Sequence, residues 1–76
     1  MQKRGPLNRT LGENLRVFRH AHGRSQEQFA HDLGYDRTYL ASVERGERNL
    51  TLDTVSKLAD QLGVDPLELL QDDFSA

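Results

Sequence analysis

The stretch SQEQFAHDLGYDRTYLASVERG, residues 25–46, contains two apolar patterns of helical spacing separated by a short break. Ser25 and Gln28 match the S-x-x-Q capping box, in which each side chain satisfies the other residue's backbone N–H group at the start of a helix. This pattern predicts a helix over about residues 26–33, and Gly34 supplies the left-handed conformation that commonly ends one.

A second helix follows almost at once. Asp36 is a favourable N-cap for a helix over about residues 37–45, with Gly46 behind it. The connection from Gly34 to Asp36 is too short for the two helices to pack side by side, so we expect them to cross steeply. The stretch therefore predicts a helix-turn-helix.

Capping residues also mark three further helices, before and after this stretch. The predicted spans are about 11–22 after a capping box of Thr10 and Glu13, about 52–62 after Thr51, and a short helix 5 opened by Asp65, Pro66 and Glu68. No segment shows the apolar alternation of a strand. The fold class is therefore predicted to be all-α, a compact five-helix bundle with a helix-turn-helix.

The chain has 76 residues and no cysteine, which indicates one small domain without disulfides or thiol chemistry. We expect a mobile basic arm over residues 1–9, a helix-turn-helix domain over 10–71 and a C-terminal tail over 72–76. The sequence has neither a signal peptide nor an apolar run of membrane-spanning length, so a soluble, cytoplasmic protein without a membrane partner is predicted.

The histidines do not form a catalytic or metal-binding pattern. His20 and His22 are two residues apart on a predicted helix, so their side chains diverge by about 200° and cannot share a metal as residues four apart would. His31 is expected on the solvent face of its helix. The sequence therefore predicts no enzyme, no metal and no cofactor.

The charge is divided unevenly along the chain. The net charge is −2, but residues 1–50 carry a net charge of +3 and residues 51–76 a net charge of −5. The predicted helix-turn-helix lies in the basic part, so the overall acidity does not argue against a polyanionic partner.

One face of the second helix of the motif is small and polar. On a helical wheel Leu40 and Val43 point towards the core, and the opposite face carries Thr38, Ala41, Ser42 and Arg45. Such a face lets a helix backbone approach base-pair edges in the major groove, where an Arg fork matches guanine and a methyl group matches thymine. The predicted base-reading residues are Arg37, Thr38, Ala41 and Ser42.

Phosphate contacts are predicted around this face. Free N–H groups at helix starts and long basic side chains both bind phosphate. The residues in such positions are Ser25, Gln26, Arg45, Arg48, Asn49 and Thr51. The predicted partner is therefore double-stranded DNA. Two carboxylates oppose this scheme: Asp36 is explained as a cap, whereas Glu47 is left as a solvated loop charge.

The sequence resembles the Cro and phage-repressor (Xre) helix-turn-helix family over about residues 10–70. The resemblance is carried by LGENLRVFR, SQEQFAHDLG, LASVERGERN and LTLDTVSKLADQLGVDPLELL. It implies a dimer on a pseudo-palindromic operator and DNA readout that includes Gln26 beside the four base-reading residues. It also implies that Arg19 pairs with Glu44, and Glu44 points inward on the wheel, where it needs a cation.

The segment DRTY, residues 36–39, is similar to the start of the same helix in restriction-modification controller proteins. This narrower resemblance implies that Tyr39 lies against the DNA backbone. A homodimer is expected, because the C-terminal apolar residues exceed what one core needs. The predicted interface consists of Leu67, Leu69, Leu70 and Phe74, with Leu69 exposed in the monomer.

The function predicted from these observations is a sequence-specific transcriptional regulator that reads the major groove with residues 37–45. A phage repressor, an operon autoregulator, an antitoxin-type autoregulator and a controller protein all remain open, as does a contact with RNA polymerase. The alternative is a protein-binding adaptor with the same fold, which the acidic residues 51–76 support. The polar face at Arg37, Thr38 and Ser42 favours DNA.

Overall fold

The computed structural model describes residues 7–75. Four α-helices, α1 (Leu7–Ala21), α2 (Gln26–Leu33), α3 (Arg37–Glu44) and α4 (Leu52–Leu62), are followed by a 3-10 helix at Glu68–Leu70. No strand occurs among residues 7–75. The predicted all-α class is confirmed, with four α-helices and a 3-10 turn in place of five helices.

The predicted helix 5 is a 3-10 turn because its backbone bonds span only three residues. The Glu68 N–H donates to Asp65 O at 2.9 Å, and the Leu70 N–H donates to Leu67 O at 3.1 Å. Runs of this geometry rarely exceed one turn. The predicted short helix 5 is therefore a single 3-10 turn.

Three helices begin at the predicted caps, because each capping side chain accepts a backbone N–H. Ser25 Oγ accepts from Gln28 N at 3.1 Å, and the Gln28 side chain completes the capping box. Asp36 Oδ2 accepts from Thr38 N at 2.9 Å, and Thr51 Oγ1 accepts from Thr54 N at 3.1 Å. The bounds of α2, α3 and α4 thus follow local side-chain chemistry.

The first helix begins earlier than predicted. Thr10 is not a cap but a buried residue within α1, with 2% of its surface exposed. Residues Leu7 to Arg9 are helical rather than part of a mobile arm, and residues 1–6 of that predicted arm lie outside the described residues. The capping box at Thr10 and Glu13 is therefore wrong.

The start of α1 is helical because it packs against the end of α3. A Cβ atom at Gly12 would overlap the Val43 carbonyl oxygen and lie 2.7 Å from Glu44 O, so only glycine allows the two backbones to approach this closely. The Asn8 side chain donates to Gly46 O at 2.7 Å. These tertiary contacts support the helix back to Leu7.

A single hydrophobic core joins all of these elements. It consists of Leu11, Leu15, Phe29, Ala30, Leu33, Leu40, Val43, Val55, Leu58, Ala59 and Leu69. Leu40 and Val43 are 1% and 3% exposed, so the apolar side of α3 faces inward as the wheel predicted.

Leu69 was expected on the surface and is instead fully buried. The 3-10 helix packs against α1, where the Asn14 side chain donates to Leu69 O at 2.7 Å and to Gln71 O at 2.9 Å. These bonds turn the chain so that Leu69 faces the core while Leu67 remains 69% exposed. The prediction that Leu69 is free for a dimer contact is wrong.

A buried ion pair connects α1 and α3. Arg19 Nε donates to Glu44 Oε2 at 2.8 Å and Arg19 Nη2 to Glu44 Oε1 at 3.0 Å, with the side chains only 10% and 3% exposed. Arg19 also donates to Arg24 O at 3.1 Å, and Gln26 Nε2 donates to Glu44 Oε1 at 3.0 Å. The pair implied by the resemblance is thus present, and α2 is tied to it through Gln26.

Replacing Glu44 with alanine should lower the free energy of unfolding by about 3–5 kcal/mol, because the buried Arg19 charge would lose its partner. Chemical denaturation followed by circular dichroism measures this loss. Glu47→Ala is the matched control, because Glu47 also accepts two bonds from an arginine but lies on the surface. If both variants unfolded at the same denaturant concentration as the parent chain, the buried pair would not stabilise the fold.

Candidate nucleic-acid interface

The N-terminal end of α3 presents a free arginine. Arg37 and Thr38 are both exposed, and Arg37 forms no hydrogen bond or ion pair with any described residue. The Asp36 side chain is occupied as the cap of α3 through the Thr38 backbone, so it does not hold the Arg37 guanidinium. Arg37 is therefore available to an external acceptor.

The exposed face of α3 continues from Thr38 to Ala41, which is half-buried. The side chains of Thr38 and Ala41 are short and uncharged, so another molecule can come close to the helix backbone along this side. Three of the four predicted base-reading residues, Arg37, Thr38 and Ala41, thus lie on one accessible side of the helix.

Ser42 departs from this arrangement. It is only 8% exposed, its Oγ donates to Tyr39 O at 2.6 Å, and it accepts from Arg48 Nε at 3.0 Å. The expectation that Ser42 lies on the free face is wrong, because the chain turns back after α3. A helical wheel could not predict the burial of Ser42, because Arg48, which bonds its hydroxyl, lies beyond the end of α3.

The reversal takes place at Gly46, which has a φ of 76°. The Gly46 N–H donates to Val43 O at 3.0 Å and the Glu47 N–H donates to Ser42 O at 3.0 Å. A positive φ is costly for residues with a side chain, so glycine suits this turn. The turn fixes where Glu47 and Arg48 leave the helix.

Arg48 is held by an aromatic ring as well as by Ser42. Its guanidinium carbon lies 4.9 Å from the centroid of the Tyr39 ring, within the range of a cation–π interaction. The Tyr39 ring in turn lies 5.1 Å from the Tyr35 ring, and burial, with a smaller contribution from Tyr39, raises the pKa of Tyr35. Arg48 is thus a positioned cation that remains exposed.

Arg45 is paired with Glu47. Arg45 Nε and Nη2 donate to the two Glu47 carboxylate oxygens, each at 3.0 Å. Hydrogen bonding to Arg45 lowers the pKa of Glu47, and the charges of Arg45 and Arg48 act in the same direction. The same bond raises the pKa of Arg45. Glu47, which the sequence left without a role, therefore partly neutralises a predicted phosphate-binding residue.

The remaining predicted phosphate-binding residues differ in availability. Ser25 and Thr51 use their oxygens as helix caps and accept backbone N–H groups there. The Gln26 side chain donates to Glu44, so it supports the buried pair as well as standing at the start of α2. Asn49 is exposed and forms no hydrogen bond within residues 7–75.

Sequence reasoning missed three residues that shape this surface. Gly12 brings α1 against α3, Asn14 ties the chain after α4 to α1, and Glu47 pairs with Arg45. A polar Asn14 between the apolar Leu11 and Leu15 was the available signal that a backbone segment needed a donor there. Arg45 and Glu47 are two residues apart, and this spacing allows an ion pair only because the chain turns at Gly46 between them.

The described residues show no group of three or more histidine and acidic side chains that could hold a metal ion. Within the same part of the chain, no helix has both the length and the apolar character needed to cross a membrane.

Comparison with known proteins identifies the family. Residues 15–69 match the helix-turn-helix family model. A hypothetical transcription factor from Neisseria meningitidis serogroup B is 44% identical over 64 residues, which are 84% of this chain and 60% of that relative's length. The chain thus spans about three fifths of this relative.

Solved structures with the same fold include two restriction-modification controller proteins. C.AhdI from Aeromonas hydrophila is 45% identical, with a TM-score of 0.69 over 82% of this chain and 94% of that chain. The C.Esp1396I tetramer, in complex with its natural 35 base-pair operator, is 27% identical, with a TM-score of 0.70 over 87% of each chain. The chain therefore belongs to the helix-turn-helix family, and its predicted resemblance to the Xre type and to the controller proteins is confirmed.

Proposed function

We propose that the protein is a sequence-specific DNA-binding regulator of transcription that inserts α3 into the major groove. The observation that carries the proposal is the exposed Arg37, which has no partner among residues 7–75, beside the exposed Thr38 at the start of α3. A related controller protein has been solved on its operator, which supports the same use of the fold here. We also propose that the protein acts in the cytoplasm and is not an enzyme, because a regulator of this kind needs only to bind DNA.

Base reading is assigned to Arg37, Thr38 and Ala41. An Arg fork can bond guanine O6 and N7, a Thr hydroxyl can bond several bases, and the Ala methyl group can contact a thymine methyl. Ser42 is instead a positioning residue, because its hydroxyl accepts from Arg48 and is covered by it. Arg48, Tyr39 and the starts of α2 and α4 are assigned to the phosphates, because cations and free N–H groups at helix starts bind them.

The biological role that the relatives favour is that of a controller protein in a restriction-modification system. C.AhdI has 45% identity to this chain, and the segment at Asp36 to Tyr39 is the one that the sequence singled out for this group. An antitoxin-type autoregulator would use the same surface, so the distinction rests on the operator and the neighbouring genes.

A homodimer is proposed with a revised interface. With Leu69 in the core, the large apolar residues exposed among residues 7–75 are Leu67, Val17, Leu52 and Leu7, and the last two, 80% and 62% exposed, lie at one place. They border a shallow apolar hollow of about 150 Å³ that is also lined by Leu11, Leu50, Val55 and Leu70. Leu70 is retained from the predicted interface, and Leu67 and Phe74 remain predicted members of it.

Base reading and phosphate binding can be separated by substitution. Selection from a random duplex pool should enrich a pseudo-palindromic site, and Arg37→Ala should reduce discrimination at one base pair of each half-site by about 1–3 kcal/mol. Arg48→Ala should weaken binding to all sequences alike and lower the salt slope by about 1. Titrations by fluorescence anisotropy at several salt concentrations measure both effects.

No enriched sequence and no salt-dependent binding by the parent chain would contradict a DNA-binding role. An equal loss for Arg37→Ala and Arg48→Ala on every sequence would contradict the assignment of base reading to Arg37.

The role of Ser42 can be tested by a double-mutant cycle. Ser42→Ala removes the acceptor of Arg48, so it should weaken DNA binding by about twofold to tenfold without changing base preference. The same substitution should have almost no effect on affinity in an Arg48→Ala background. Ser56→Ala, an exposed residue of α4 with no hydrogen bond in residues 7–75, is the control. A loss that persists in the Arg48→Ala background, confined to one base pair, would restore Ser42 as a base-reading residue.

Leu52→Glu should convert the dimer to a monomer, because it places a charge in the apolar hollow at a position that contributes little to the core. Sedimentation equilibrium measures the change in mass, and thermal unfolding checks that the fold is kept. Val17→Glu is the control, since Val17 is 46% exposed on α1 and does not line the hollow. An unchanged mass for Leu52→Glu would show that the dimer uses another surface.

A further inference from the structure

A carboxylate lies within the basic loop that follows α3. Glu47 accepts two hydrogen bonds from Arg45, and the two side chains are 57% and 58% exposed. The Arg48 charge also lowers the pKa of Glu47, so this carboxylate stays ionised at neutral pH next to two arginines. Arg45, Glu47 and Arg48 together carry a net charge of +1, whereas Arg45 and Arg48 alone, the predicted phosphate-binding residues, would carry +2.

This pair contributes little to the stability of the fold. Exposed ion pairs are weak, because water screens them and two long side chains must be ordered. Its position, however, is determined by the backbone: the Glu47 N–H is bonded to Ser42 O, and Gly46 turns the chain in the left-handed conformation. The carboxylate is therefore directed to Arg45 by the same turn that brings Arg48 over Ser42.

The pair occupies one of the two-donor edges with which Arg45 could bind a phosphate. Arg45 Nε and Nη2 form the planar fork that matches two oxygens of a carboxylate or of a phosphate equally well. A DNA phosphate that uses this edge of Arg45 must displace Glu47, and one that binds the free Nη1 side still approaches the negative charge of Glu47. Arg37 has no such competitor among residues 7–75, so the base-reading end of α3 is free while this phosphate-binding residue is occupied.

We propose that Glu47 is a built-in competitor of DNA phosphate at Arg45, which lowers the affinity of the protein for DNA of any sequence. Because sequence-independent affinity comes almost entirely from phosphate contacts, this lowering reduces binding to random DNA and leaves base reading by Arg37 and Thr38 to decide where the protein is retained. This inference rests on the proposed DNA-binding function.

The test uses Glu47→Gln in the full chain with a duplex of random sequence. The substitution should tighten binding by about threefold to fivefold, since the competitor is an exposed pair, and should increase the salt slope by about 0.9 as Arg45 gains a phosphate. When Arg45→Ala is also present, the gain in affinity from Glu47→Gln should fall to the gain produced by removing a negative charge far from Arg45. Anisotropy titrations over a range of salt concentrations give all three values.

Glu13→Gln is the matched control, because it removes one negative charge from an exposed position of α1 that forms no ion pair within residues 7–75. A gain for Glu47→Gln no larger than for Glu13→Gln, or one that persists in full with Arg45→Ala, would overturn the proposal while DNA binding itself stands. If the parent chain bound neither random nor selected duplexes, the proposed function would fail and the inference with it.

Discussion

The buried pair of Arg19 and Glu44 is the interaction on which the presentation of α3 depends. It joins the end of α1 to the end of α3 by two bonds, and Gln26 adds a third from the start of α2. Three helices therefore meet at one carboxylate that is almost completely removed from water. Because an unpaired charge there is costly, arrangements that separate α1, α2 and α3 are disfavoured.

The proposed DNA-binding surface depends on this constraint and on one close approach of two helices. Gly12 lets α1 lie directly against the carbonyl groups at the end of α3, so the inner side of α3 is covered and its opposite side faces out. Rigid support matters because base reading requires side chains to be held in a narrow range of positions. The loop after Glu44 then turns at Gly46, where Arg45 pairs with Glu47 and Arg48 contacts Ser42 and Tyr39.

Much of the fold could be predicted because its signals are local. Ser25, Asp36 and Thr51 accept backbone N–H groups two or three residues ahead, so α2, α3 and α4 begin where the sequence placed them. The start of α1 could not be found in this way, since contacts with Gly46 and with α3 extend it past Thr10. Leu69 was misplaced for the same reason: the orientation of its 3-10 turn depends on Asn14, far away along the chain.

The site could be predicted only where the helix alone determines it. Thr38 and Ala41 lie on the side that helical periodicity assigns to them, and Arg37 is exposed at the first position of α3, whereas the Ser42 hydroxyl is bonded by Arg48, which returns after the helix ends. The most direct measurement of the central claim is an NMR titration of isotope-labelled protein with a duplex selected from a random pool. We expect the largest amide shifts at Arg37, Thr38 and Ala41 with smaller shifts at the start of α2, and almost none at Ser56 and Lys57 on α4. Shifts centred on α4, with α3 unaffected, would contradict major-groove reading by α3.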